Sequence, residues 1–285
     1  MPTDQGPQVW TISPLFDHYT LKVHEITLFG TAMVADQSLY TRIHAMKIPR
    51  DNDLPLLFYG VPSGCSFGSI VALEWLGRPY RLCRIEMPEV VSSDAYKRIN
   101  AVGETPAMRT AAGDFISESL AILNHIGALD LDLRLTFPQG TPAFDRLNQV
   151  LAYLNTSLFD AYSPFWYAVE HDLEAMEKKV LTDYGHAKVR KAHADLEAML
   201  GDQPWLLGEH RTLADAYFIG IARWNEYHQV VDRHDYPNLQ RLYDQLEGDP
   251  AVVFAHAIEQ REAVSGAGGF VGEIALEDVL ARLHA

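Results

Sequence analysis

The sequence predicts a mixed α/β half followed by an all-helical half, and three observations carry that expectation. A short apolar run, Leu56–Tyr59, is followed by an apolar helical pattern, Ile70–Leu76, and then by an alternating run, Tyr80–Ile85. Two further short runs, Ala107–Thr110 and Asp114–Ile116, flank Ala112-Gly113 and precede a second helical pattern from Glu118 to Ile126. From Ala143 onward the apolar period becomes helical and remains so.

Taken in order, residues 1–54 read as an extension. Pro2, Gly6, Pro14 and Pro49 interrupt it, Val9–Ile12 and Tyr19–Val23 suggest short strands, and Leu39–Met46 suggests one or two helical turns. The strand at Leu56 leads through the loop Gly60–Ser66 into a helix that Gly77 and Pro79 terminate. Strand, crossover helix and parallel strand form one βαβ unit. With the hairpin and helix that follow, the order is βαβ then ββα, the thioredoxin-like topology, over residues 55–130. Pro138, Gly140 and Pro142 mark residues 131–142 as a linker. Helical patterns then occupy 143–262, at Ala143–Ala161, Glu170–Val180, Ala187–Leu200, Ala214–Val230 and Leu239–Leu246. Residues 263–285 read as a tail in which Gly266–Gly269 precedes a short helix, Ile274–Leu283.

Composition narrows the function classes. The 285 residues carry 23 Lys and Arg against 38 Asp and Glu, a formal charge of -15, which repels nucleic acid and anionic membrane. No apolar run approaches the roughly 20 residues of a membrane span, and the N-terminus lacks a basic-then-apolar leader pattern, so a cytoplasmic location is expected. Cys65 and Cys83 form no CxxC pair, and the 12 histidines show no ligand spacing, so neither a disulfide framework nor a metal is expected.

The chemistry concentrates in two segments. In Gly103–Met108, Pro106 heads a strand and, having no N–H of its own, leaves the backbone of Thr105 available to a peptide-like ligand. One hairpin later, Glu118 offers a carboxylate for an ammonium group, and Ser119 offers a hydroxyl beside helix N-terminal N–H groups suited to a carboxylate. Together they read as a site for a small zwitterionic peptide. Cys65 stands at the start of the first helix, where free N–H groups favour an anion and are expected to lower a thiol pKa from about 8.5. Cys83 lies mid-strand and reads as core. Thr212 and Asp215 fit a Thr-x-x-Asp capping box that starts a core helix.

These residues resemble a glutathione transferase of the bacterial beta class over roughly residues 55–262. The resemblance rests on Tyr59, the Pro62–Ser66 loop, Asn100, Gly103, Pro106, the Glu118-Ser119 pair, Leu154–Pro164, and Thr212–Tyr217 running to Trp224. It implies glutathione as co-substrate, a cis Pro106 that lets Thr105 bond the cysteinyl backbone, and Glu118 and Ser119 at the γ-glutamyl end. Cys65 or Ser66 would stand beside the glutathione sulfur, with Ser63 and Tyr59 as rival donors. Trp224, Phe159 and Tyr162 would border the site of a small hydrophobic electrophile. A homodimer with a detoxifying transferase activity is implied. Phe159 and Asp160 stand where the family often carries histidine and lysine, and Val102 replaces a usual basic contact. Two other readings remain: a thiol-disulfide oxidoreductase in which Cys65 forms the mixed disulfide, and a non-catalytic binding protein of the same fold.

Overall fold

The structure is a computed structural model that describes residues 54–283. The chain divides into two units, residues 1–48 and 49–285, and all described residues belong to the second. The extension expected over residues 1–54, with its short strands, therefore lies almost wholly outside the described residues.

Strand β1 (Leu56–Val61) is buried along its whole length, which explains why it reads as a continuous apolar run rather than an alternation. It pairs in parallel with β2 (Tyr80–Glu86) through the crossover helix α1 (Phe67–Leu76), as expected. On its other side it pairs antiparallel with β3 (Ala107–Arg109), which forms a hairpin with β4 (Phe115–Ser117). Helix α2 (Ser119–Leu129) completes the thioredoxin-like order. Every residue of α1 is buried, because it lies between the sheet and the helical half, and Gly77 ends it in the left-handed conformation at φ 70°.

The helical half begins with α3 (Pro142–Tyr153), capped by Thr141. It passes through a π-helical turn, Leu154–Phe159, directly into α4 (Asp160–Glu170). The helix expected to end at Ala161 thus continues through Pro164. The Asp160 carbonyl, which the proline ring cannot bond, instead accepts from Ser163 Oγ at 2.7 Å. The two helices expected at Glu170–Val180 and Ala187–Leu200 are one, α5 (Ala175–Leu200). Helix α6 (Leu213–Ala222) is wholly buried and is followed by α7 (Trp224–His228), α8 (Pro237–Glu247) and α9 (Pro250–Glu259); the sequence reading did not include α9.

The tail differs most from expectation. Before the short helix α10 (Leu276–Arg282), it forms a fifth strand, β5 (Phe270–Glu273), parallel to β2, so the sheet order is β4-β3-β1-β2-β5. Buried Glu74 of α1 fixes it, accepting from Gly268 N–H at 2.5 Å, Phe270 N–H at 3.2 Å and Tyr80 OH at 2.7 Å. A Cβ on Gly269 would lie 1.7 Å from the Arg78 carbonyl, so only glycine lets the tail pass there.

Alternation along the strands separates two cores. Leu57, Tyr59 and Val61 face α1, α2 and the helical half. Leu56, Phe58, Cys83 and Ile85 face Tyr96, Ile99 and Val279 of α10, which places Cys83 in the core as read.

Candidate functional site

The loop Gly60–Ser66 carries the site residues off the end of β1, and several of its backbone atoms are held from outside. Trp224 Nε1 donates to the Ser63 carbonyl at 2.9 Å, and Arg223 Nη2 donates to the Gly64 carbonyl at 2.9 Å. Arg223 is itself gripped by Glu259 through two bonds of 2.9 and 3.0 Å and lies 4.1 Å from the Phe67 ring centroid. Both side chains of this ion pair are about nine-tenths buried, so the pair satisfies two charges that neither could carry alone.

Cys65 is half-buried at the end of this loop, and its Sγ donates to the Thr105 carbonyl at 3.1 Å. Burial pushes the Cys65 thiol up to about 11; its own N–H and Arg223 oppose that rise, while Glu104 and Glu118 add to it. The expected lowering by the helix N-terminus is therefore corrected: desolvation outweighs it, and the group is a neutral S–H donor near pH 7.

Ser66 is fully buried, and its Oγ accepts from Gly60 N–H at 3.1 Å, bracing the loop against the end of β1. This corrects its reading as a catalytic hydroxyl, because it presents no surface to a ligand sulfur. Tyr59 is likewise buried, donating to Glu273 Oε1 of β5 at 2.5 Å.

The Thr105–Pro106 peptide is cis, as the resemblance implied. Thr105 keeps its N–H without a partner among the described residues, whereas its carbonyl, expected to be free, is occupied by Cys65. Asn100 acts on this loop from within: its Nδ2 donates to the Glu104 carbonyl at 2.8 Å, and Tyr96 OH donates to the same oxygen at 3.0 Å.

Glu118 is the N-cap of α2 and adopts φ 71° and ψ 124°, a region that costs a residue with a Cβ on the order of 1–3 kcal/mol. Its carboxylate is exposed and makes no side-chain cap bond. Ser119, the first residue of the helix, is 7% exposed beneath it. Cys65 contacts the Thr105 carbonyl directly, and Glu118 is near enough to act on the Cys65 thiol, so the two segments read as a site do converge on the α1 loop.

Of the three aromatic residues expected at a substrate site, Tyr162 is fully buried and Trp224 is 4% exposed. Phe159 is half-buried against Trp224, with ring centroids 5.3 Å apart. Tyr162 is corrected to core, since nothing of it is open to a ligand. Trp224 alone reaches a cavity of about 440 Å³, shared with Ser63, Arg223, Glu226, Tyr227, Tyr243, Glu247 and His256. Cys65, Thr105, Glu118 and Ser119 do not line it; Ser63, two residues before Cys65, does.

The sequence reading missed Arg223. Arg223 carried a signal, an arginine directly after a helix, Leu213–Ala222, that is apolar but for Asp215 in its first turn. Thr212 and Asp215 form the expected capping box, with Thr212 N–H donating to Asp215 Oδ2 at 2.7 Å and Leu206 N–H to Oδ1 at 2.9 Å.

A thioredoxin-like half carrying a thiol and a helix N-terminal carboxylate, docked on a buried helical half, defines a two-part fold built to present a sulfur beside a second site. Residues 62–129 match the family model described as glutathione S-transferase, N-terminal domain, and residues 142–250 match glutathione S-transferase, C-terminal domain. Glutathione S-transferase GstA of Escherichia coli O157:H7 is 25% identical over 170 residues, covering 59% of this chain and 81% of that protein. Among solved structures, a sphingomonad glutathione S-transferase complexed with glutathione superposes with a TM-score of 0.63 at 23% identity, covering 72% of this chain and 98% of that one. The beta-class enzyme of Sphingomonas chungbukensis gives 0.62 at 23% identity over the same shares. The chain belongs to the glutathione S-transferase superfamily and is classified as a glutathione S-transferase.

Proposed function

We propose that the protein binds glutathione along Thr105, Pro106, Glu118 and Ser119 and presents its thiolate to an electrophile. The observation that carries this reading is Glu118, whose exposed carboxylate stands on a strained backbone next to a buried serine and within electrostatic reach of Cys65. Backbone strain of this kind concentrates at ligand clamps. The similar sphingomonad enzyme is described in complex with glutathione, which supports the same ligand here.

In this reading Cys65 is a donor. A thiol raised to about 11 stays protonated near neutral pH and can turn its S–H from the Thr105 carbonyl to the sulfur anion of glutathione. The glutathione thiol gives its proton to solvent, the thiolate forms a C–S bond to the electrophile, and the leaving group departs with the bonding pair. Proximity of the two reactants supplies most of the acceleration. The same neutral thiol disfavours the exchange route, which needs a Cys65 thiolate.

The second reactant is assigned to the cavity that Ser63 and Trp224 help to line. Trp224, Tyr227 and Tyr243 give it largely apolar walls, while Glu226, Glu247, Arg223 and His256 add polar groups. A small, flat, hydrophobic electrophile that carries a hydrogen-bonding group suits it. A homodimer is also proposed. Met176, Val180 and Tyr184 are 72%, 60% and 58% exposed at successive turns of α5, an apolar face that a second copy would cover. No helix among the described residues is long and apolar enough to cross a membrane, which is consistent with the proposed cytoplasmic site.

The test is glutathione-dependent consumption of aryl halides, epoxides, disulfides and peroxides. Conjugation of an aryl halide that persists in Cys65→Ser supports the reading; disulfide exchange alone, abolished by that change, would replace it with the oxidoreductase.

A further inference from the structure

Helices α8 and α9 meet at Gly248-Asp249, and three donors lock this turn in place. Asp249 accepts from Trp75 Nε1 of α1 at 2.9 Å, from Arg211 Nη1 at 2.7 Å and from the Ala251 N–H at 2.8 Å. The turn brings Glu247, the last residue of α8, and His256 of α9 together at the cavity that Ser63 and Trp224 line. His256 Nε2 lies 3.1 and 3.4 Å from the two Glu247 carboxylate oxygens. The imidazole also packs on the ring of Phe67, two residues beyond Cys65, with centroids 4.7 Å apart.

The other charges of this cavity are spent. Arg223 is held by Glu259 and Glu226 by Arg233, and an arginine keeps its proton at neutral pH. The Glu247-His256 pair differs, because a histidine gives and regains a proton near neutral pH. Burial alone would raise the Glu247 carboxyl, but His256, with Tyr243 and Arg233, outweighs it and holds Glu247 below the ordinary carboxylate range. A carboxylate only accepts, so Nε2 carries the hydrogen that faces Glu247. Nδ1 makes no hydrogen bond among the described residues and is left for a ligand.

We propose that His256, oriented by Glu247, is a catalytic proton donor for electrophiles in which a carbon–oxygen bond breaks, with epoxides as the substrate class. This rests on the reading above, in which a glutathione thiolate attacks an electrophile held in this cavity. The thiolate attacks one epoxide carbon and forms the C–S bond. The C–O bond breaks, its electron pair passes to oxygen, and that oxygen takes the Nδ1 proton of a ring protonated on both nitrogens. Neutral His256 keeps Nε2–H on Glu247 and regains the other proton from solvent, since both side chains are about one-third exposed. Chloride leaving an aryl ring takes no proton, so this assistance is specific to the epoxide.

The experiment is steady-state kinetics of the full chain with glutathione and, in parallel, styrene oxide and the aryl chloride chlorodinitrobenzene, read as the ratio of the two kcat/KM values. His256→Gln should lower the ratio of epoxide to aryl chloride about a hundredfold, with the styrene oxide loss in kcat. Glu247→Gln, which keeps the ring but removes the carboxylate that orients it, should lower the ratio about tenfold and covers the case in which His256→Gln does not fold. A ratio within about threefold of wild type in either variant, equal losses toward both substrates, or a styrene oxide loss confined to KM would overturn the proposal. Wild type that consumes neither substrate overturns the transferase reading with it, whereas wild type that conjugates the aryl chloride and leaves styrene oxide untouched overturns this inference alone.

Discussion

The indole N–H of Trp224 donates to the carbonyl of Ser63 at 2.9 Å, joining the helical half to the loop that carries Cys65 two residues later. Ser63 is held at φ 54°, a conformation that L residues adopt seldom, and the bond to Trp224 helps to keep it there. The thiol's position is therefore a product of both halves.

Replacing Trp224 by Phe tests that link. The change removes one donor from a buried acceptor and leaves a small void among Phe159, Tyr162 and Trp166, whose ring centroids lie 5.3 to 5.7 Å from that of Trp224. Stability should fall by about 2 kcal/mol, and kcat/KM should fall with it as the loop loosens. Urea unfolding and steady-state kinetics measure both; a variant as active as wild type would show that the loop is fixed by Arg223 alone.

Cys65 provides a pH prediction. With its thiol raised to about 11, alkylation by iodoacetamide should be slow at pH 7 and still accelerating at pH 10. Mass spectrometry resolves Cys65 from Cys83, which is buried and raised to about 12, and so should remain unmodified. An inflection for Cys65 below pH 8 would restore the lowered thiol and, with it, the exchange mechanism.

Asp215 supplies the second. Burial raises its carboxyl to about 6, against the pull of four donors, the N–H groups of Leu206, Thr212 and Asp215 itself and the Thr212 hydroxyl. A folded pKa above the unfolded value of about 3.9 means that the native state holds the proton more tightly. The stabilisation is complete below about pH 4, is lost as pH rises from about 4 to 6, and changes no further above that, about 3 kcal/mol in all. The stability difference between wild type and Asp215→Asn should therefore narrow over that window and then level off. At pH 7 the variant should still be less stable by about 2 kcal/mol, because its amide meets the Thr212 N–H with a donor. A difference that widens with rising pH would contradict the sign.

The tail makes a structural prediction. Glu74→Ala strips the acceptor from Gly268 N–H, Phe270 N–H and Tyr80 OH together, and should cost about 3 kcal/mol. Amide exchange in Phe270–Glu273 should speed up more than in β1. Equal protection in both would mean that β5 holds its place through β2 pairing alone.

Much of this architecture was legible in the chain, for reasons that differ by element. Strand β1 and helix α1 announce themselves because burial on every side leaves them mostly apolar, Ser69 and Glu74 apart, and the Thr212 box because capping is local chemistry. Strand β5 was not legible. It has four residues, half of them exposed, and its pairing partner lies some 190 residues earlier, while Gly266–Gly269 reads as a break rather than as a close approach to α1. At the site, Glu118 and Ser119 could be found from helix-start chemistry. The roles of Cys65 and Ser66 could not: a half-open thiol and a fully buried hydroxyl stand on adjacent residues, and only packing decides which is which. Arg223 acts on the loop across 159 residues of sequence, a distance over which spacing carries no information.

The account depends most on an exposed carboxylate receiving the ammonium end of glutathione. Titration calorimetry of wild type and Glu118→Ala with reduced glutathione measures this directly. Saturable heat in wild type, weakened at least tenfold by Glu118→Ala with melting temperature preserved, is the predicted result; no heat in wild type, or equal affinity in the two, would contradict it.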